Sequence, residues 1–175
     1  MTSTATLPPA IGTADALKLA MRKMPSPVAL VSTTDPTTGK HAGLAVTAFL
    51  PVCMEPPSML VCVNRSASAY PMLERVDTYC INILGASQSD RLAAFADPTR
   101  RDERFAGEHW QGRHGTVCLV SALANLFCRK VSAPSSFGTH SLLIGEVFDV
   151  ALAEYGQPAL WYDGGMVPLD LTKID

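Results

Sequence analysis

Six or so apolar runs of strand length, at residues 28–34, 41–54, 59–64, 78–84, 119–131 and 141–153, follow one another mostly through short turns. Helical patterns fall only at 14–23, within 66–74 and at 87–95. Strands that meet through turns pair antiparallel, because a parallel neighbour needs a crossover of a dozen or more residues. The order therefore predicts a mainly β, α+β domain, an antiparallel barrel or sandwich with inserted helices. A doubly wound sheet would need β-α-β alternation, which this chain lacks.

The punctuation sharpens that reading. Thr13 is expected to cap the first helix, and Pro25 and Pro27 to end it. Residues 35–39 read as a turn, 41–54 as a return strand that bends at Pro51, and Glu55-Pro56-Pro57 as a break. Residues 97–115 read as a charged connection pinned by Phe105 and Trp110, and 132–140 as a loop. The expected organisation is a flexible lead over 1–12 and a single domain over 13–175.

At 175 residues the chain can bury one real core but not two nucleotide-binding domains in series. Hydrophobic residues make up 47%, whereas the charged fraction is 17%, below the roughly 25% of ordinary soluble domains. That deficit points to extra buried surface, most simply a subunit interface. A net charge of -2 with no Lys/Arg run argues against nucleic acid and anionic membrane as partners. The 5 cysteines are odd in number, scattered and set in apolar runs, as reduced core thiols of a cytoplasmic protein would be. No C-x-x-C pair accompanies them, and His109 and His114 lack neighbouring ligands, so no metal site is expected. The first ten residues lack the pattern of a leader, and no apolar run nears the ~20 residues of a membrane span. A soluble, cytosolic protein is expected.

No G-x-G-x-x-G, P-loop or G-x-S-x-G elbow occurs, which removes Rossmann, P-loop and α/β-hydrolase chemistry. Three segments could carry chemistry. In Asn64-Arg65-Ser66-Ala67-Ser68, a strand ends in a cation and hydroxyls before a helix-like stretch, which makes an anion cradle or merely an N-cap beside a surface charge. Gly138-Thr139-His140 puts an imidazole at the mouth of a strand, where it could meet a phosphate or a nicotinamide, or be an ordinary surface histidine. Residues 43–49 place small side chains mid-strand, so that a flat ring could approach the backbone, or a neighbouring strand could pack closely.

Taken in order, these segments resemble the flavin reductase-like family with the split-barrel FMN-binding fold, especially the small reductase components of two-component aromatic-ring monooxygenases. The resemblance spans roughly 16–169 and rests on Pro56-Pro57 through Asn64-Arg65-Ser66-Ala67-Ser68, Tyr79-x-x-Asn82-x-Leu84, Arg104-Phe105, and Gly138-Thr139-His140 before Leu142-x-x-Gly145-Glu146-Val147. It implies a split antiparallel Greek-key barrel. Ala45, Val46, Thr47 and Ala48 would then line the flavin ring. Asn64, Arg65, Ser66 and Ser68 would meet its phosphate side, with Arg104 adding charge, and His140 would serve catalysis near the nicotinamide. Tyr162 would act as a lid or ring contact. The chain departs from the family at Ala45 and Thr139, where threonine and aspartate are common, and in its tail at 162–168.

The implied activity is hydride transfer from NADH or NADPH to FMN or FAD, within a homodimer that supplies reduced flavin to a flavin-dependent monooxygenase. The same fold would also suit a flavin-binding electron carrier without nicotinamide chemistry. A pyridoxamine-phosphate oxidase-like reading would want more basic residues than Arg65 at the phosphate end. No basic contact stands out in the sequence for the 2′-phosphate of NADPH.

Overall fold

The computed structural model describes residues 12–131 and 133–169. Nearly all of the expected N-terminal lead, and the last six residues, lie outside that range. Helix α1 (Thr13–Met21) and a short strand β1 (Ser26–Pro27) precede β2 (Ala29–Thr34), β3 (His41–Val46), β4 (Phe49–Met54) and β5 (Pro57–Asn64). Helix α2 (Tyr70–Arg75) leads to β6 (Thr78–Ile83), helix α3 (Ser89–Ala96), and a hairpin of β7 (Trp110–Arg113) and β8 (Thr116–Leu119). Strands β9 (Ala124–Lys130), β10 (Ser135–Phe137), β11 (His140–Leu152), β12 (Ala159–Tyr162) and β13 (Gly165–Pro168) follow.

One curled antiparallel sheet of 8 strands runs in the order β3-β2-β6-β9-β11-β5-β4, with β10 on β11. The mainly β, antiparallel architecture expected for a split barrel is present, here as a curled half-barrel sheet. Strand β2 explains the layering, because its side chains alternate between two cores. Ala29 and Val31 face the barrel interior with Val61, Val63, Leu73 and Ile81, whereas Val28, just before the strand, and Leu30 face outward with Leu84, Leu92, Phe95 and Leu119. The outer core is what holds α3 against the sheet, beside β3. Strand β11 supplies curvature: it pairs with β5 over 140–146 and with β9 over 145–152, and its register shifts between Val147 and Asp149.

A buried amide locks the centre. Asn82 Nδ2 donates to Leu30 O (2.7 Å) and Ser32 Oγ (2.9 Å), while its Oδ1 accepts from Leu119 N (2.7 Å) and Asn125 Nδ2 (2.9 Å). With Asn82 fully buried and its amide satisfied at both ends, four strands are tied at one point.

Several expectations are corrected. Thr13 does not cap α1; Gly12 holds the N-cap position without a side-chain bond. The 41–54 run does not merely bend at Pro51 but divides at Thr47–Ala48, because β3 pairs with β2 and β4 pairs with β5, so the chain must cross between sheet ends. Pro51 marks only a register shift. The 119–131 run also divides, its start closing the β7–β8 hairpin. Residues 97–115 are not one irregular connection, since they contain a 3-10 segment (Pro98–Glu103) and β7. Residues 132–140 include β10. Cys80, Cys118 and Cys128 are buried thiols, and burial pushes Cys128 up to about 12, leaving it inert. Cys53, expected in the core, is exposed because β4 forms the sheet's edge.

Candidate functional site

Strand β3 ends one side of the sheet, and α3 with the 98–105 stretch packs over it. Gly43 makes that approach possible: a Cβ there would stand 2.7 Å from Val31 O, 3.0 Å from Phe95 Cε1 and 3.1 Å from Phe105 Cζ. The two phenylalanines meet edge to face with centroids 5.5 Å apart, Trp110 lies 4.8 Å from Phe105, and His41 lies 5.4 Å from it. An aromatic cluster therefore rests directly on the backbone of β3.

Two hollows lie against this strand. The first, about 170 Å³, is lined by His41 and Gly43 of β3, Ser68 of the β5–α2 turn, and Arg101, Arg104 and Phe105. The second, about 230 Å³, is mainly apolar and is lined by Ala45, Val46 and Thr47 with Val28, Leu92 and Trp161. Residues 42 and 46 are roughly 13 Å apart along a strand. The strand thus carries a cationic end and an apolar end side by side.

Arg104 is held by the C-terminal carbonyls of α3, donating from Nε to Ala94 O (3.1 Å) and from a terminal nitrogen to Phe95 O (3.2 Å). Its guanidinium also stacks over Phe95 at 5.4 Å. Partial burial lowers its proton affinity, and the like charge of Arg101 lowers it further, against the opposing pull of Asp97. Arg100, by contrast, points to Glu103 at 2.7 Å.

A third group forms where β5 meets β11. His140 pairs with Asn64 in register, Arg65 N donates to Thr139 O (3.0 Å), and the Arg65 guanidinium donates to Gly138 O. Asn64 Oδ1 accepts from both the backbone N and the hydroxyl of Ser66, each at 2.9 Å. The backbone N–H of Ala67 bonds to Asn64 O. Within the candidate cradle at 64–68, the N–H groups of Arg65, Ser66 and Ala67 are engaged locally, and α2 begins only at Tyr70. The bond from Cys62 N to Ala48 O (2.9 Å) brings the Thr47–Ala48 crossing beside the same strand end.

Residues 21–170 match the family model described as the flavin reductase like domain. The chain belongs to this family. It is 41% identical over 150 residues, 85% of this chain and 82% of the relative, to the FMN reductase (NADH) RutF of Pseudomonas syringae pv. syringae strain B728a. Its fold matches the structure titled flavin reductase PheA2 in native state with a TM-score of 0.79 at 25% identity, covering 89% of this chain and 97% of that one. The fold also matches nitrilotriacetate monooxygenase component B from Mycobacterium thermoresistibile, TM-score 0.84 at 22% identity, covering 93% and 89% of the two chains.

For this flavin reductase family member, the structure groups the residues singled out in the sequence unevenly. Ala45, Val46 and Thr47 share the apolar hollow, and Ser68 and Arg104 share the cationic one. Asn64, Arg65 and Ser66 instead build the junction that carries His140, whose ring is exposed and whose Nδ1 lies 2.9 Å from Thr139 Oγ1. Tyr162 follows Trp161 on β12, and strand alternation turns it to the opposite face; Trp161 lines the hollow. Sequence reasoning missed His41, Arg101 and Trp161. Arg101 stands three residues before the recognised Arg104, a spacing at which side chains on a 3-10 turn eclipse, and that signal was available.

Proposed function

We propose that this chain uses NADH to reduce FMN, as a homodimer in the cytoplasm, and passes the reduced flavin to a flavin-dependent monooxygenase. The observation that carries the reading is the pairing of an apolar and a cationic hollow along one strand. A flavin mononucleotide has the same polarity, a flat apolar ring joined to a phosphate by a short chain. Bound flavin would supply the hydride acceptor, and family membership supports the choice of chemistry.

The protein's own contribution is positioning. Small residues at Ala45 and Ala48 leave room for a ring against the backbone, and Thr47, exposed at the crossing, offers a hydroxyl. Ser68 and Arg104 would face the phosphate. His140, fixed by the β5–β11 junction, would contact the nicotinamide. The name of the Pseudomonas relative supports FMN and NADH over FAD and NADPH.

The apolar outer edge supports the dimer. Strand β4 is a sheet edge and exposes Leu50, Val52 and Met54, the last at 71%. Such an edge is an aggregation hazard unless another copy covers it. No helix among the described residues is long and apolar enough to cross a membrane.

A steady-state assay crossing NADH and NADPH with FMN, FAD and riboflavin tests the reading. NADH oxidation that depends on added FMN is the expected result. Protein that purifies yellow yet leaves both nucleotides untouched would support the electron-carrier alternative instead.

A further inference from the structure

His140 opens β11 on a hairpin whose other strand, β10, is three residues long and, among the described residues, pairs with β11 alone. Arg65 clasps the turn of that hairpin from the rim. A second tie reaches it from inside the barrel. Ser141, the residue after His140, is fully buried and donates its hydroxyl to Tyr70 Oη (2.9 Å). Tyr70 donates in turn to Glu74 Oε1 (2.6 Å), and Ser136 Oγ of β10 lies 3.2 Å from Ser141 Oγ. A carboxylate only accepts, and each hydroxyl has one hydrogen to give. The direction is therefore fixed: Ser136 donates to Ser141, Ser141 to Tyr70, and Tyr70 to Glu74. Bonds chained in one direction polarise and strengthen one another.

The far end of this chain is itself anchored. Tyr70 belongs to the inner core with Val61, Val63 and Leu73, and Lys130 Nζ donates to Leu73 O (3.1 Å) and Glu74 O (2.7 Å) at the end of α2. Tyr70 also stands two residues after Ser68, which lines the cationic hollow. The chain thus joins the start of β11 to the segment that would face the flavin phosphate. Resting on the flavin reductase reading above, we infer that Tyr70 is a positioning residue, which through Ser141 holds His140 where it meets the nicotinamide. Its ring is buried and its hydroxyl is engaged as donor and as acceptor, so it acts through Ser141 and not on a ligand. Removing that hydroxyl leaves the buried Ser141 O–H without its acceptor, and the hairpin must shift to regain one. Small displacements of an orienting group are felt in the rate.

The test uses the full chain as wild type, Tyr70→Phe, Ser141→Ala, His140→Ala and the Tyr70→Phe/His140→Ala pair. Stopped-flow reduction of FMN at varied NADH is measured with FMN affinity from flavin fluorescence and hydrogen exchange of the 135–142 amides. Tyr70→Phe should raise KM for NADH and lower kcat/KM about fivefold, with FMN affinity within about twofold and faster exchange over 135–142. On the His140→Ala background the same change should cost less than about twofold, because the two residues act as one unit. Ser141→Ala breaks the same bond from its other end and decides the matter if Tyr70→Phe folds poorly. An unchanged kcat/KM for NADH, or a loss repeated in full without His140, would overturn the inference, since a merely structural role loosens the fold whether or not the imidazole is there. Wild type that reduces no flavin would overturn the reductase reading instead. Faster exchange over 135–142 in Tyr70→Phe would then keep Tyr70 as the strut of this hairpin, and unchanged exchange would remove that role too.

Discussion

His140 stands directly opposite Asn64 across the β5–β11 ladder, and the residues beside each are bonded to one another. Arg65 holds the Gly138–Thr139 turn by its backbone N–H and by its guanidinium. Two segments that are distant in sequence are therefore one junction, and the imidazole projects from it.

Because the His140 ring is exposed and its backbone is held by the ladder, removing it should not disturb the core. His140→Ala is expected to lower kcat/KM for NADH about tenfold while FMN affinity stays within about twofold. Stopped-flow reduction at varied NADH reads both quantities. An unchanged rate and KM would exclude His140 from the nicotinamide contact.

Gly43 is where β3 and the aromatic cluster touch. Gly43→Ala places its Cβ against a backbone carbonyl, Val31 O, which cannot swing aside as a side chain can. The variant should lose about 1–3 kcal/mol of stability. Flavin affinity should fall with it, because Phe105 forms a wall of the cationic hollow. Urea unfolding and flavin titration check the two effects, and a stability change below about 0.5 kcal/mol would contradict the packing described here.

Asn82→Ala removes, among others, the four bonds to Leu30, Ser32, Leu119 and Asn125 at one point and leaves the Leu119 N–H without its acceptor. A loss of about 3 kcal/mol is expected by urea denaturation, larger than for an isolated surface amide. A loss under about 1 kcal/mol would mean that water or a neighbour replaces the network.

Asp35 joins the β2–β3 turn to α2, accepting from Thr37 N (2.9 Å) and from Arg75 (2.5 Å). The Thr37 backbone bond most of all, and then Arg75, hold its carboxyl below 3.8 against the opposing effect of burial. A depressed carboxylate stabilises the fold above its unfolded value, and that stability is lost as pH falls through the folded value. Asp35→Asn should therefore lower the unfolding midpoint at pH 7, and the gap from wild type should close as the pH falls below 3.8. A gap independent of pH would show that shape, not charge, matters at this turn.

These strand positions were legible in the chain because strand-length apolar runs and turn residues are local signals, and 28–34, 59–64 and 78–84 each lie within one strand or a residue or two of it. The division at Thr47–Ala48 was not, because it depends on which partner each half finds, a long-range property. For the same reason the charged 97–115 stretch hid β7, whose hairpin is stabilised by the Phe95–Phe105–Trp110 contact. In the site, Ala45 to Thr47 and Ser68 with Arg104 were readable from motifs. His41 was not, because a lone histidine at a strand start gains meaning only when Phe105 and two arginines fold over it. Arg65 was readable as a cation but not as a clasp.

The crossing between β3 and β4 has a consequence for the life of the protein. The two ends of the curled sheet are linked there by only a two-residue crossing, Thr47 and Ala48. A molecule lying along β3 would touch the strand, the turn after β5 and the 98–105 stretch at once, and so would add a further tie between them. Whatever binds the folded form alone deepens its stability in proportion to supply. Without such a ligand the folded form would lack that added stability.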